Sequence, residues 1–420
     1  MSPTPAARAP AHDELILRWH THIRELLPAW RECFPADDGL RSFALHTAVE
    51  DSRLSDVELH YLAGEDDGGA ACVVPCFAFE VCLASLSSHW LRRAVSGVRT
   101  VFPRFLRMRL FVVGSPISTC SDLLGIKDLA DERRWDRPKL SRLFDEIIRK
   151  SKSLGIGLVL IKEFETAVAD TLRAKISDKF FFVESLPTTY LDLPPRESGG
   201  YFAAIRSRYR NKLKKRKAVG RESQLTWEVV PSCRGYEEEI HRLYLQVVDH
   251  SDFVFERLNR PFFAQVEASL GEAAFFILGF RLLDGVKRLV ACELVICDRT
   301  TMHPLYSGFD YWVKRDTDLY FNAFYQVIEE AERRGFARVH LGQTAYEVKA
   351  ELGVRCTKLF LGVHHTNRLM KAVLWHARGF LLPSTEFPDR DVFAEPPTPR
   401  KNGRKPAAVP VGSGAKQPAA

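Results

Sequence analysis

Two stretches in different halves of this chain share one pattern: the end of a helix, a glycine and a short apolar strand. They are SKSLGIGLVLIKEFE (151–165) and AERRGFARVHLGQTA (331–345). Each follows a region rich in predicted hairpins, although the match is too loose to be a sequence repeat. The pattern predicts two copies of one mixed α/β unit in tandem.

The first half of the chain contains segments with helical and with strand periodicity. Residues 13–34 carry apolar side chains at near-helical spacing behind Asp13, so we predict a helix there with Asp13 as its N-cap. The apolar runs 57–64 and 70–81 flank the turn sequence EDDGG and predict a hairpin. The remaining predicted elements are a strand at 107–116, a helix at 139–155, a strand at 157–164 and a helix at 165–175.

The second half follows the same order of elements. A hairpin is predicted around Asp284-Gly285, because this dipeptide favours a tight turn between two apolar runs. The other predicted elements are helices at 236–251, 261–271, 319–335 and 367–382 and strands at 300–310, 337–342 and 358–365. We therefore expect an α/β fold with mixed sheets.

Composition places the expected boundaries. The Pro- and Ala-rich residues 1–12 are predicted to be a disordered arm, followed by a first unit at 13–195 and a second at 196–384. Residues 385–420 are rich in Pro, Ala, Gly and Lys. Such a segment buries too little apolar area to offset its ordering entropy, so we predict a disordered tail.

The bulk composition fits a soluble globular protein, with 46% hydrophobic residues. The N-terminus lacks the apolar core of a signal peptide, and no apolar run approaches the roughly 20 residues that span a bilayer. We therefore expect a cytoplasmic protein of bacterial type with no transmembrane segment. The nine cysteines show no CxxC spacing. Buried, reduced thiols are the favoured interpretation, with a zinc site or a catalytic thiol as alternatives, and no metal ligands are predicted.

The most basic stretch of the chain, Arg206–Arg221, contains no acidic residue. One interpretation is a helix with a solvated, charged face. The other is a contact to an anion: acyl-carrier phosphates, a nucleotide-linked substrate or the acceptor arm of a tRNA, any of which would bind with strong salt dependence. On a helix the charge surrounds the axis and does not line one groove, which argues against reading of bases.

Four stretches of the second half together resemble a known family. They are RYRNKLKKRKAVG (208–220), YSGFD (306–310), YQVIEEAERRGFARVHLGQ (325–343) and YEVKAELG (346–353). Their order is similar to that in the N-acetyltransferase-like (GNAT) superfamily, and within it to the FemABX-like transferases and the BioF2-like acetyltransferase-6 group. The resemblance covers about 200–385, and the first half agrees only in element order. It implies two GNAT-like units and acyl or aminoacyl transfer to an amine, with formation of an amide.

The resemblance also implies the partners. The acceptor would be a small-molecule or peptide amine, and the donor an anionic acyl carrier: acyl-CoA, acyl-carrier protein or aminoacyl-tRNA, with no tightly bound cofactor. Many GNAT domains cradle the CoA pyrophosphate in a glycine-rich loop at a helix N-terminus. Here the corresponding loop, 311–321, has no glycine. Lys314 and Arg315 are predicted to contact phosphate through their side chains, unless they are solvated loop charges.

Two residues are predicted to carry the chemistry. Lys349 lies in the box that in FemABX-like enzymes holds a lysine near the reacting carbonyl, and a donor aimed at the developing oxyanion contributes on the order of 3–4 kcal/mol. The alternative for Lys349 is a surface lysine at a helix start. Glu293 lies within an apolar strand, where burial would raise its pKa and suit a general base. A paired arginine, an outward position or proton loss assisted by the substrate are the alternatives to that role.

The remaining predicted site residues bind substrate. Tyr306, Asp310 and Tyr346 are expected to position the amine, although both tyrosines also suit a core position with a solvated hydroxyl. The predicted substrate contacts on the basic stretch are Arg208, Asn211 and Lys215. Two other functions compete with acyl transfer: a tRNA-binding protein, and a catalytically inactive GNAT-like module that binds a partner.

Overall fold

A computed structural model describes residues 14–82, 107–117, 124–251, 257–313, 317–381 and 387–394. The predicted disordered arm at 1–12 lies outside these ranges, as do residues 395–420 of the predicted tail. Within them, none of the helices combines the length and the apolar character needed to cross a membrane.

The first half of the chain forms a series of strands and helices that matches most of the predicted order. The strands are β1 (Ile16–His20), β2 (Val57–Asp66), β3 (Gly69–Cys82), β4 (Arg107–Val113), β5 (Leu158–Glu165) and β6 (Phe181–Glu184). The helices are α1 (Leu27–Cys33), α2 (Phe43–Ser52), α3 (Arg137–Ser153) and α4 (Thr166–Ile176). Asp136 caps α3 by accepting a hydrogen bond from the Lys139 N–H at 2.8 Å, and one apolar stripe of this helix is buried.

The second half repeats this series. Its strands are β7 (Thr188–Asp192), β8 (Leu225–Val230), β9 (Ala274–Leu283), β10 (Val286–Cys297), β11 (Thr301–Phe309), β12 (Arg338–Gly342), β13 (Arg355–Thr357) and β14 (Leu359–His365). Its helices are α5 (Gly200–Ala204), α6 (Ser207–Glu222), α7 (Glu237–Asp249), α8 (Arg260–Leu270), α9 (Leu319–Arg334), α10 (Tyr346–Glu351) and α11 (Arg368–Leu381). Gly155 after α3 and Gly335 after α9 both have positive φ, as the predicted helix ends require.

The strands form two seven-stranded sheets with the same internal order. The first sheet runs β1-β2-β3-β4-β5-β14-β6, and the second runs β8-β9-β10-β11-β12-β7-β13. In each sheet one neighbouring pair is parallel, β4 with β5 and β11 with β12, and the other pairs are antiparallel. This arrangement confirms the predicted α/β class with two tandem mixed-sheet units.

The two sheets exchange one strand each. β14, from the second half, lies between β5 and β6 of the first sheet. β7, from the first half, lies between β12 and β13 of the second sheet. A boundary drawn at residue 195 therefore does not separate the sheets, because each half contributes a strand to the other.

The start of the chain corrects one prediction. Residues 16–20, predicted as part of a helix, form β1 and pair with β2, with Ile16 opposite Glu65 and His20 opposite Tyr61. Leu15, Leu17 and Trp19 also fit an alternating pattern, and pairing with the open edge of β2 decides between the two periodicities. Only 27–33 of the predicted segment form an α-helix.

The predicted tail also needs correction at residues 387–394. Val392 and Phe393 are 1% and 8% exposed and pack into the core beside α6 and α9. Phe393 forms a β-bridge with Ile205, and the Arg206 N–H donates to the Val392 carbonyl at 2.9 Å. These two apolar side chains stabilise the packed segment. The composition of 385–420 as a whole does not reveal them, because most of its residues are Pro, Ala, Gly or Lys.

The two halves are joined by packed helices. Helix α2 of the first half lies against α8 of the second, and Asn259 Nδ2 donates to the Ser52 carbonyl at 2.6 Å. Leu40, Leu45 and Val49 belong to the same apolar core as α7, α8 and the second sheet. The junction is therefore part of a continuous core.

Candidate active site

The parallel pair of the second sheet opens along its length. Thr301 pairs with Arg338 and Met302 with Val339, and β11 then continues to Phe309 without pairing to β12. The equivalent strands β4 and β5 stay paired up to the last residue of β4. The divergence of β11 and β12 creates a place for side chains from β10, β11 and α10.

Lys349 reaches this place from α10. Two residues with left-handed backbone, Thr344 and Ala345, turn the chain after β12 and begin the helix. The ammonium group of Lys349 donates to the carbonyls of Leu341 and Gln343, both at 2.6 Å. The side chain is 2% exposed, so Lys349 is not a surface lysine. Burial lowers its pKa to about 7, and the charge of Glu293 opposes that shift.

Glu293 lies on β10, fully buried. Ser307, directly opposite on β11, donates its hydroxyl to Glu293 Oε2 at 2.6 Å. Burial raises the pKa of Glu293 to about 8, against the Ser307 hydrogen bond and the positive charge of Lys349. Glu293 does not face outward, and no ion pair among the described residues joins it to an arginine. Proton loss assisted by the substrate stays an alternative to its role as a base.

The two groups therefore hold and release protons near neutral pH. When Lys349 is protonated, two of its three N–H groups are bonded to main-chain carbonyls and one remains. When it is neutral, the nitrogen lone pair remains instead. An acid and a base whose pKa values are displaced towards neutrality by burial are typical of proton-transfer sites.

A hydrogen-bonded chain links Lys349 to the first sheet. Gln343 Nε2 donates to Glu163 Oε1 on β5 and to the Leu186 carbonyl, both at 2.8 Å. Tyr346 donates its hydroxyl to the Pro187 carbonyl at 2.8 Å. Residues 185–187 connect β6 to β7, so these bonds attach the crossing between the sheets to the surroundings of Lys349.

Sequence reasoning missed several groups at this place. Ser307 and Gln343 lie within the motifs that carry the family resemblance, and only the strand register shows which groups they contact. His340 Nε2 is 2.7 Å from the Thr188 hydroxyl on β7. Burial, reinforced by the charges of His303 and Lys349, lowers the pKa of His340 to about 3, so its ring is neutral.

The structure does not bring Tyr306 to Lys349. Tyr306 adjoins Ser307 on β11 and therefore points to the other face of the sheet. There its ring packs edge-on against Tyr244 and Phe262, with ring centroids 5.7 Å apart in both cases. Its hydroxyl donates to the Ile117 carbonyl at 3.4 Å. Tyr306 thus belongs to the core between the halves.

Asp310 caps the turn that follows β11. Its side chain accepts the Trp312 N–H at 3.0 Å, and Arg242 lies 3.8 Å from its carboxylate. Trp312 itself is 91% exposed. The predicted phosphate contacts Lys314 and Arg315 follow directly and lie outside the described residues.

Part of the basic stretch is neutralised within the fold. Lys212 and Arg216 of α6 form ion pairs with Glu351 at 2.6 and 2.9 Å, and Lys217 pairs with Glu329 at 2.9 Å. Since Glu351 lies on α10 shortly after Lys349, these pairs hold the basic helix α6 against the helix that carries Lys349.

The three predicted substrate contacts on α6 lie on its exposed side. Arg208 stacks on Tyr209 and approaches the Asp391 carbonyl at 3.4 Å. Asn211 and Lys215 are exposed, and their side chains form no hydrogen bond or ion pair with other described residues. This side of α6 therefore presents cationic groups to solvent.

Four of the described cysteines fit the favoured interpretation of buried thiols, whereas Cys33 and Cys297 are partly exposed and Cys356 is exposed. Cys72, Cys76, Cys233 and Cys292 are free and buried. Burial raises the pKa of each thiol, which disfavours the reactive thiolate. In the described ranges, no group of three or more His, Cys, Asp or Glu side chains is placed to hold a metal ion.

Comparison with known proteins points to one superfamily. A family model described as an acetyltransferase (GNAT) domain matches residues 204–350. The crystal structure of FemX is similar with a TM-score of 0.53 and 11% identity, covering 86% of this chain and 99% of that chain. A tandem GNAT protein from the clavulanic acid biosynthesis pathway, solved without AcCoA, has a TM-score of 0.49 and 9% identity over 84% of this chain and 99% of that one. A search of curated proteins found no match. At such low identities the FemX comparison shows a shared fold.

Proposed function

We propose that this chain, which carries a GNAT acyltransferase domain in a FemABX-like fold, joins an activated acyl or aminoacyl group to an amine. The group formed by the buried Lys349 and Glu293 and the half-buried Ser307 supports this proposal most directly. It lies where β11 and β12 diverge, and all three residues fall within the part of the chain that matches the GNAT family model.

In the proposed reaction the amine nitrogen attacks the acyl carbonyl carbon. The N–H of protonated Lys349 that the main chain leaves unused donates to the carbonyl oxygen as it becomes an oxyanion. One such donor contributes on the order of 3–4 kcal/mol of transition-state stabilisation. The Gln343 and Leu341 carbonyls hold the ammonium group in place for this contact.

Glu293 accepts the proton that the amine loses. Collapse of the tetrahedral intermediate then breaks the bond from the carbonyl carbon to the thioester sulfur or ester oxygen of the donor. The leaving group takes up the proton from Glu293, and the products are an amide and the free carrier. A carboxylate with a pKa raised towards neutrality suits both steps, because it gains and returns a proton at little cost.

The donor is proposed to be anionic. Arg208, Asn211 and Lys215 on α6 offer exposed polar and cationic groups beside α10, and Lys314 and Arg315 are proposed as further phosphate contacts. Acyl-CoA, acyl-carrier protein and aminoacyl-tRNA all present phosphates to such a surface. Asp310 and Tyr346 are proposed to border the acceptor.

The test is a turnover assay with the purified full chain. Mass spectrometry would follow amide formation from a panel of acyl-CoAs, acyl-carrier protein and aminoacyl-tRNA with candidate amines. Wild-type turnover that Lys349→Met lowers about 10²–10³-fold would support the proposal. Full turnover by Lys349→Met would show that the assigned site is wrong, and no turnover or donor binding by the wild type would favour an inactive, partner-binding module.

The exposed cations of α6 also favour a second candidate function, binding of tRNA without catalysis. A fluorescence titration with tRNA over a salt series tests it, since each phosphate neutralised adds to the slope of affinity against salt. Tight binding without amide formation would support this candidate, and absence of binding near physiological salt would rule it out.

A further inference from the structure

The two halves of the chain place matching residues against each other beside Lys349. When Gly155 after α3 is set against Gly335 after α9, the numbering sets Glu163 against Gln343. β5 and β12, which carry or precede these residues, occupy the same place in their sheets. Glu163 and Gln343 are thus structural counterparts, and they are also hydrogen-bonded partners at 2.8 Å.

The partnership extends to Lys349 through the main chain. Both N–H groups of the Gln343 amide are used, one on Glu163 and one on the Leu186 carbonyl, which determines the orientation of this side chain. The main-chain carbonyl of Gln343 accepts the Lys349 ammonium at 2.6 Å. The Glu163 carboxylate of the first sheet therefore holds Gln343, whose main-chain carbonyl accepts a hydrogen bond from Lys349.

Glu163 occupies its position against two energetic costs. Its backbone has φ of 44°, in the left-handed region that favours glycine, and it lies at an irregularity in the pairing of β5 with β14. Its side chain is 3% exposed, and burial raises the pKa of its carboxyl. A strained and desolvated carboxylate persists only where its surroundings determine it strongly, and such residues concentrate at functional sites.

We propose that Glu163 is a positioning residue for the acyl transfer assigned to the second half, an inference that rests on the proposed function. By holding the Gln343 amide, it sets the Gln343 carbonyl and the turn at 344–345, and so the direction of the free N–H of Lys349. The site is then completed by a residue from the other half of the chain.

The kinetic test compares two substitutions at Glu163. Glu163→Leu removes the acceptor, and a misplaced catalytic group of this kind lowers kcat on the order of 100-fold. Glu163→Gln retains an acceptor oxygen and is expected to keep kcat within about threefold of the wild type, since the amide bond to Gln343 can still form. KM is expected to stay nearly constant in both, because Glu163 acts through Lys349. Wild-type kcat in Glu163→Leu would overturn the proposal.

A double-mutant cycle separates positioning from a general structural role. If Glu163 acts through Lys349, then Glu163→Leu lowers residual turnover no further once Lys349→Met is present. An equal loss in both backgrounds would show that Glu163 only supports the fold and would overturn the proposal.

A second measurement does not depend on turnover. Hydrogen–deuterium exchange of peptides covering 341–352 is expected to accelerate in Glu163→Leu. The matched control is Glu184→Leu, because Glu184 lies on β6 and pairs with Lys358 at the surface; exchange in 341–352 should match the wild type. Unchanged exchange in Glu163→Leu overturns the inference even if the wild type is active. Absence of wild-type turnover, with accelerated exchange in Glu163→Leu, would reject the proposed function and retain the coupling.

Discussion

The two sheets have the same strand order, but only one of them opens. In the first sheet β4 and β5 remain paired to the end of β4, and Lys162 donates across to the carbonyls of Ser115 and Pro116 at 3.2 and 3.4 Å. In the second sheet β11 leaves β12 after Met302. Lys162 thus ties β5 to the segment after β4, whereas Lys349 occupies the space between diverging strands.

The counterparts of the candidate catalytic residues are apolar. Lys349 is the fourth residue of α10, and the fourth residue of α4 is Ala169, which is buried in the first core. When the parallel pairs of the two sheets are superposed, Val74 on β3 corresponds to Glu293 on β10. One architecture therefore carries an apolar core in one half and a buried acid–base pair in the other, which illustrates that fold alone does not determine function.

The sharpest test of this contrast replaces Lys349 and Lys162, one at a time, by methionine. Lys349→Met is expected to lower kcat about 10²–10³-fold, because the oxyanion loses its donor. Lys162→Met, the matched control, also removes a buried ammonium that donates to two carbonyls, and we expect kcat per folded molecule to change less than twofold. Steady-state kinetics on both variants, with circular dichroism to confirm folding, decide the matter. Comparable losses of kcat would show that the halves do not differ in this respect.

The next effect concerns Glu293 and pH. Glu293 must be ionised to act as the base, so activity falls below pH 8. Lys349 must be protonated to donate to the oxyanion, so activity also falls above pH 7. The wild type should therefore show a bell-shaped profile with its maximum between about pH 7 and 8. Glu293→Gln is expected to lose about 10²-fold in kcat and the acidic limb of the profile. A variant that keeps both limbs would mean that another group is the base.

A smaller effect is expected in stability. The pKa of Glu293 is raised in the folded protein, which binds this proton more tightly than the unfolded chain does. Its contribution to the free energy of unfolding therefore decreases as pH rises from about 5 to 7, by at most about 1.4 kcal/mol per pH unit. The lowered pKa of Lys349 acts only above about pH 7. Urea unfolding at pH 5 and 7 should show a smaller decrease in Glu293→Gln than in the wild type, and equal decreases would contradict burial of the charged site.

The smallest effect is expected at the exposed side of α6. The double variant Arg208→Ala and Lys215→Ala should raise KM for an anionic donor severalfold at low salt, with kcat unchanged, since exposed charges contribute weakly. The difference should shrink as salt increases. A fall in kcat with constant KM would place these residues in the chemistry instead.

Local patterns predicted much of this architecture. Tight turns and helix ends need left-handed backbone, which Gly and Asp tolerate better than most residues. The structure has a hairpin turn at Asp284-Gly285 and helix ends at Gly155 and Gly335. The motif that contains Lys349 predicts its importance, and the structure buries Lys349 where its charge acts on Glu293. These features depend on neighbours within a few residues.

Long-range partners were beyond such patterns. Nothing near Glu163 in the sequence indicates a bond to Gln343, and Ser307 becomes a partner of Glu293 only through strand register. Residues 16–20 fitted two periodicities, and the free edge of β2 decided between them. Val392 and Phe393 lie in a segment predicted to be a disordered tail, and only the core against which they pack shows that the segment is ordered.

The exchange of β7 and β14 between the sheets affects how the protein folds during synthesis. β14 is inserted between β5 and β6, so the first sheet has an unfilled slot until β14 has left the ribosome. Such late, distant pairing raises contact order and slows folding. Neither half can mature independently in the usual domain-by-domain order. Synthesis of the first half must therefore be followed by a waiting period, which ends for the first sheet when β14 pairs with β5 and β6.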